Sequence, residues 1–333
     1  MKTTVNWGII GLGNIAHTFA EAIKEISACK LKGIASLNKS KLTTFGEKYN
    51  IDQKYRFNSY DELINSDEID AVYIATLNNT HKDLIIKSID ARKNILCEKP
   101  ITINDQEIKD VYKKVKDSKI FFLEAIAYRS HPISKAIFEI LSNDNFGKIE
   151  NIITSFGFDT KRIKPESRLY NKMLGGGAIL DVGCYPLSIV NLIKKTRNEN
   201  SQIIFLDVKG NICKTGVDDY SFAKLKFSND SYAEIEIGIR KKLENSLYIK
   251  TTYGELKIPN LWLPNKKVYI DVKLRDHFYK QFITCDYTVY AQQINFFNSM
   301  IKNNEKTTDF PYLSLEDSKE IAELSLEWRK RLY

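Results

Sequence analysis

The stretch Gly8-Ile9-Ile10-Gly11-Leu12-Gly13-Asn14-Ile15-Ala16 restricts the fold more than any other part of the chain. It places G-x-G-x-x-A at positions 11, 13 and 16, between an apolar run, Val5 to Ile10, and an amphipathic run, Ile15 to Ile26. A strand that turns tightly, exposes bare backbone and at once begins a helix aims the unpaired N–H groups of that helix at one spot. Such a spot holds a pyrophosphate. Gly11 permits the turn, Gly13 lets backbone approach the anion, and Ala16 lets helix and strand pack closely, with Asn14 and Ile15 opening the helix. Glycine-rich turns show the same letters without that role, so the flanking strand and helix give the pattern its meaning.

The rhythm of that first unit continues. Leu31 to Ser36, Ala71 to Ala75, Asn94 to Cys97 and Ile120 to Leu123 read as further strands, separated by helices at Lys41 to Tyr49, Lys82 to Ala91 and Asp105 to Lys116. Asn104 and Glu107 supply a capping-box signature for the last helix. Short apolar strands alternating with amphipathic helices predict an α/β, doubly wound parallel sheet, a Rossmann domain over residues 1–124. Past Glu124 the period changes. A helix at Ile133 to Leu141 precedes strands alternating in twos: Ala223, Leu225 and Phe227, a turn at Asn229-Asp230, then Ala233, Ile235 and Ile237. Helices at Tyr290 to Lys302 and Leu315 to Leu332 complete a predicted α+β domain over 125–333, with an open, mainly antiparallel sheet. A length of 333 residues suits two domains with a cleft.

Charge and composition exclude several classes. The net charge of +8 comes from lysines scattered among acids, not gathered in a basic stripe, which argues against nucleic acid and leaves a mild field attractive to phosphate-bearing molecules. Five cysteines without a close pair, and His17, His81, His131 and His277, form neither a disulfide framework nor metal-ligand spacing. No apolar run approaches the ~20 residues of a membrane helix, and Met1-Lys2-Thr3-Thr4 leads into a strand without a leader pattern. A cytoplasmic protein without metal or membrane contact is expected.

Three further stretches carry chemistry. After the second strand, where NAD-binding chains usually place an acid for the ribose, Ser36-Leu37-Asn38-Lys39-Ser40-Lys41 offers no carboxylate. A hydroxyl, an amide and ammonium groups suit a 2′-phosphate, so Ser36, Asn38 and Lys41 favour NADP(H), with NAD(H) as the alternative. The strand ending at Cys97 delivers Glu98-Lys99-Pro100 to the carboxyl edge of the sheet, where doubly wound folds bind ligands. There Lys99 would lie beside a nicotinamide and hydrogen-bond a substrate hydroxyl. Lastly, Gly175-Gly176-Gly177 leads through an apolar strip to Asp181 and Tyr185. On one helix, i and i+4 spacing would turn both to one side, and the glycines would let backbone approach a ligand or a neighbouring element. Arg168, just upstream, would meet a substrate phosphate or carboxylate or lie on the surface.

Together G-I-I-G-L-G-N-I-A, A-V-Y-I-A-T-L-N-N-T-H, C-E-K-P, E-A-I-A-Y-R-S-H-P and G-G-G-A-I-L-D-V-G-C-Y-P resemble, in order, the glucose-fructose oxidoreductase and inositol dehydrogenase family. Tyr185, where many members have His, resembles the dihydrodiol dehydrogenase and NADP-dependent sugar dehydrogenase branch. The resemblance implies Lys99, Asp181 and Tyr185 as the catalytic set. It also implies a cofactor lined by Thr76, Leu77, Asn79, His81, Glu98 and Glu124, and a cleft lined by Tyr128, Arg129 and His131, with Tyr128 near the substrate. Leu37 stands where the family often carries Arg for the 2′-phosphate. A homodimer or homotetramer formed through the open sheet is implied as well. The reading that follows is hydride transfer between NAD(P) and a CH–OH or C=O carbon of a sugar, polyol or nucleotide-linked keto sugar. In it Tyr185 is general acid/base, Lys99 lowers its pKa and Asp181 holds a neighbouring hydroxyl. The alternatives are an NAD-dependent glycosidase working by transient oxidation and elimination, and a non-catalytic NAD(P)-binding module.

Overall fold

Apolar runs too short for helices become strands, and the first six form an all-parallel sheet in the computed structural model, which describes residues 4–196 and 202–333. Residues 1–3, on which part of the leader reading falls, lie outside the described residues. In chain order the elements are β1 (Val5–Ile10), α1 (Asn14–Ala22), β2 (Cys29–Ala35), α2 (Lys39–Lys48), β3 (Arg56–Phe57), α3 (Tyr60–Ile64), β4 (Ala71–Ile74), α4 (His81–Asp90), β5 (Asn94–Cys97), α5 (Asp105–Lys116) and β6 (Phe122–Glu124). The sheet order is β3-β2-β1-β4-β5-β6. The chain therefore starts in mid-sheet, runs outward on one side and returns on the other. The carboxyl ends of β1 and β4 form the switch point where such sheets leave a crevice. Ile10, Val72, Ile74, Ile85, Ile95 and Val111 are fully buried in the core beneath it, each contributing roughly 1.5–3 kcal/mol by leaving water. The capping box forms with a shift of one residue: Asn104 Oδ1 accepts the Glu107 N–H at 3.0 Å, while Glu107 Oε2 accepts from Ile103.

The second unit contains α6 (Pro132–Ser142), β7 (Ile149–Gly157), α7 (Ala178–Asp181), α8 (Cys184–Lys195), β8 (Ile203–Ile212), β9 (Asp218–Phe227), β10 (Tyr232–Gly238), β11 (Leu247–Thr251), β12 (Gly254–Ile258), β13 (Lys267–Leu274) and β14 (His277–Thr284). Its sheet runs β14-β13-β12-β11-β7-β10-β9-β8, antiparallel except for the β7–β10 pair. The predicted hairpin forms between β9 and β10. Phe227 N–H bonds the Ser231 carbonyl at 3.0 Å, and Asp230 takes the left-handed conformation at φ 65°. Ala223, Leu225, Ala233, Ile235 and Ile237 face the buried side, where α8 is enclosed from Cys184 to Ile193. His131 caps α6 by accepting the Ile133 N–H at 3.1 Å, and burial pushes its imidazole down to about 4.

The last helices are α9 (Val289–Lys302) and α10 (Leu315–Leu332). Reading the second domain as 125–333 puts both of them there, but residues Tyr287–Lys319 group with Met1–Ser130, and Glu320–Tyr333 with His131–Asp286. The reason is Trp7 on β1, whose buried indole needs a polar partner. Asn298 Oδ1 accepts its N–H at 3.0 Å, and Phe297 packs with ring centroids 4.8 Å away. Arg129 is buried in the same unit, donating to the Pro311 carbonyl at 2.9 Å with Asp317 3.9 Å away.

Candidate active site

In the first unit, Gly11 stands at φ +90° with room for no side chain: a Cβ would lie 2.8 Å from the Ala75 carbonyl oxygen and from Thr76 Cγ2. The β1 turn is thus pressed against the loop after β4. Gly13 differs, since nothing lies within 4 Å of where its Cβ would be. It precedes α1, whose N-terminus has no side-chain cap and no acid in its first turn. Open space before an uncapped helix N-terminus fits a dinucleotide pyrophosphate.

The residues expected to line that cofactor distribute unevenly. Thr76 pairs with Thr80 (Oγ1 to Oγ1, 2.7 Å), and Leu77 and Asn79 are exposed beside them. His81 is enclosed, its Nδ1 2.9 Å from the Pro100 carbonyl, so it buttresses the turn that bears Lys99. In the second-strand turn, Ser36 Oγ accepts the Asn38 N–H at 3.2 Å and Asn38 Oδ1 accepts the Lys41 N–H at 3.0 Å. Both side chains shape the start of α2, while Lys39, Lys41 and Leu37 face solvent.

Lys99 is half-buried after β5, and the Lys99-Pro100 peptide is cis. Around it the structure gathers groups that sequence reasoning did not connect. Glu98 accepts the Tyr73 hydroxyl. Glu124 is buried, with Oε1 3.3 Å from the Ile101 N–H. Burial pushes the Glu124 carboxyl up to about 7. Hydrogen bonds from Ser318 and Ile101 oppose that rise, the Glu98 charge adds to it and the Lys99 ammonium reduces it. The Tyr290 phenol, raised by burial, feels the same Glu98 and Lys99 charges. A tyrosine inside the aliphatic run Ala-Val-Tyr-Ile was the available signal for Tyr73; Tyr290 and Ser318 gave none.

Because the folded pKa of Glu124 exceeds the ordinary carboxylate value, its contribution to stability is complete below about pH 4.5 and is lost as pH rises through 7. The expected difference is about 3 kcal/mol. Glu124→Gln should therefore gain urea stability over wild type between pH 5 and pH 8; parallel curves for the two proteins would exclude Glu124 as the titrating group.

In the second unit, one helix does not carry both Asp181 and Tyr185. α7 ends at Asp181, and α8 starts at Cys184 after Val182 and Gly183, where a Cβ at 183 would lie 2.4 Å from the Ile179 carbonyl oxygen. Shared-face spacing is replaced by a break that glycine enforces. The glycine triplet serves close packing: a Cβ on Gly176 would sit 2.8 Å from the carbonyl oxygens of Arg168 and Leu169, and one on Gly177 2.3 Å from Asp218 Oδ1. Asp181 is buried and accepts from Arg168 Nη1 at 2.7 Å, the guanidinium remaining half-exposed. Tyr185 is 7% exposed, set edge-on to Phe156 (5.0 Å) and Trp262 (5.9 Å). Neither aromatic neighbour was visible in the motif. Tyr128 is enclosed in the first unit, at 0% exposure. Among the described residues no cluster of His, Cys, Asp or Glu is placed to hold a metal ion.

Comparisons with known proteins agree on one family. A model described as an oxidoreductase family with an NAD-binding Rossmann fold matches residues 5–124, and the GFO/IDH/MocA C-terminal domain matches 135–257. Trans-1,2-dihydrobenzene-1,2-diol dehydrogenase of Xenopus tropicalis is 30% identical over 78% of this chain and 76% of its own; the Homo sapiens enzyme is 26% identical over 79% and 77%. Among solved structures, a 3-ketoreductase from Actinomadura kijaniata in complex with NADP and TDP-benzene superposes with TM-score 0.86 at 21% identity, covering 99% of this chain and 98% of that one. Aldose-aldose oxidoreductase from Caulobacter crescentus complexed with glycerol gives TM-score 0.86 at 17% identity, over 98% and 97%. With both of its domains matched, the chain belongs to the GFO/IDH/MocA family of NAD(P)-binding oxidoreductases, which act on CH–OH groups.

Proposed function

We propose that this oxidoreductase works on a sugar, polyol or nucleotide-linked keto sugar, uses NADP(H) in preference to NAD(H), and relies on Lys99 and Tyr185 for the proton. The carrying observation is the alignment of Gly11, the Thr76 loop and Lys99 along one carboxyl edge, at the ends of the neighbouring strands β1, β4 and β5. When bound, the nicotinamide supplies or accepts the hydride. The rest of the chemistry belongs to side chains. Lys99 Nζ donates to the oxygen on the reacting carbon, and Tyr185 Oη gives or takes that oxygen's proton. Asp181, steadied by Arg168, accepts from an adjacent substrate hydroxyl. The relatives named trans-1,2-dihydrobenzene-1,2-diol dehydrogenase support a vicinal oxygen pattern in the substrate.

Support for NADP(H) comes from the second-strand turn, which has no carboxylate and two exposed lysines, and from the neighbour solved with NADP. Incubation with each cofactor and a panel of sugars, polyols, trans-diols and keto sugars should give NADP(H) turnover matched mole for mole by substrate. Tighter binding and faster turnover with NADH overturns the preference. Cleavage of a glycosidic bond without net cofactor change replaces the reaction class.

We also propose that the chain works in the cytoplasm, as its cysteine spacing favours, and as a homodimer through the outer face of the eight-stranded sheet. There Phe278 (74% exposed) and Phe282 (59%) alternate on β14 with Lys280, which pairs with Asp271 on β13. Exposed aromatic rings laced with ion pairs suit a self-complementary interface. Light scattering should give twice the chain mass, and Phe278→Asp with Phe282→Asp should halve it; an unchanged mass sinks this assignment.

A further inference from the structure

We infer that Asp218 and Tyr333 are positioning residues, which fix the short helix α7 and through it the placement of Asp181. This rests on the role proposed above for Asp181 and Tyr185.

A helix of four residues, Ala178–Asp181, has too few internal hydrogen bonds to hold itself. It also has no side-chain cap of its own, since Gly177 precedes it at φ +116°. The cap arrives from elsewhere. Asp218, at the head of β9, accepts the Ile179 N–H on Oδ2 at 2.7 Å and is fully buried. Only glycine at 177 leaves room for that carboxylate, as a Cβ there would be 2.3 Å from Oδ1. Oδ1 in turn accepts the Tyr333 hydroxyl at 3.0 Å, and the same hydroxyl oxygen accepts the Asp218 N–H at 2.7 Å. One phenol thus engages both the backbone and the side chain of the capping residue. At the far end of α7, Asp181 is tied to Arg168. The helix is held at its start by a carboxylate and at its end by a guanidinium. A shift of the start moves the end, because four residues allow no internal slack.

Burial raises the Asp218 carboxyl above the ordinary range, while the Ile179 N–H, the Tyr333 hydroxyl and the Arg329 charge pull it back. Arg329 and Lys172 each stand 5.5 Å from the centre of the Tyr333 ring. Removal of the phenolic hydroxyl takes one donor away from the carboxylate and favours its protonated form.

The mild variant is Tyr333→Phe, which keeps the ring; Asp218→Asn is the second. For Tyr333→Phe the expected result is a roughly tenfold loss of substrate kcat/KM. NADPH affinity should stay near wild type, Tm should fall because the buried Asp218 N–H and carboxylate lose their shared partner while the variant stays folded at the assay temperature, and the acidic limb of the kcat/KM profile should move to higher pH. Asp218→Asn, which cannot ionise, should abolish that movement. Wild-type kcat/KM and an unmoved acidic limb in Tyr333→Phe overturn the inference, as does a loss accounted for by a fallen Tm alone. If Tyr185→Phe keeps full turnover, the underlying catalytic reading has failed instead, so the two failures are distinguishable.

Discussion

Tyr185→Phe should lower turnover by roughly 10²–10⁴-fold, the range a positioned general acid/base supplies. The substitution removes one oxygen and leaves the ring between Phe156 and Trp262, so the packing of α8 should survive. NADPH affinity should be unchanged, because the groups that fit the dinucleotide lie in the first unit. Lys99→Ala should fall by a similar factor. A phenol ordinarily loses its proton near pH ~10 and is a poor acid/base at neutrality without a nearby cation. Pre-steady-state and steady-state rates for both variants, with Tm as the folding control, decide the matter: near-normal turnover in both removes these side chains from the chemistry.

Gly13→Val separates cofactor binding from folding. Gly13 lies at φ −87°, ψ −173°, extended backbone open to any residue, and nothing lies within 4 Å of its Cβ position. The variant should fold with a wild-type Tm and lose at least ~100-fold in NADPH affinity, as its methyls occupy the space where backbone N–H groups must meet the anion. Gly11→Ala is the contrasting case. At φ +90°, with a carbonyl oxygen 2.8 Å from the new Cβ, it should cost stability as well, by about 1–3 kcal/mol. Fluorescence titration with NADPH beside a thermal melt reads both. Full affinity in Gly13→Val would move the pyrophosphate away from α1.

What the sequence made legible was whatever depends on local pattern. β1, β5, α5 and α10 begin and end where their apolar spacing and caps place them, and the β9–β10 hairpin follows from strict alternation around Asn229-Asp230. Features set by distant partners were not legible. Asp181 and Tyr185 look like one helical face until Gly183 is seen pressed on the Ile179 carbonyl; that glycine was the clue to a break. The glycine triplet reads equally as a ligand cradle or a packing device, and only the carbonyls of Arg168, Leu169 and Asn171 and the Asp218 carboxylate choose packing. The environment of Glu124 depends on Ser318, far along the chain, and no periodicity foretells it.

The membership of α9 in the first unit bears on how the protein is made. Trp7 and its hydrogen-bond partner Asn298 are 291 positions apart, and the Arg129 guanidinium waits for the carbonyl of Pro311. A nascent chain can lay down the six parallel strands early, yet their outer aromatic flank stays uncovered until Phe297 and Asn298 have left the ribosome. The nucleotide-binding unit is thus completed only when α9 arrives, and a fragment ending at residue 130 would leave the translation machinery with a sticky indole still showing.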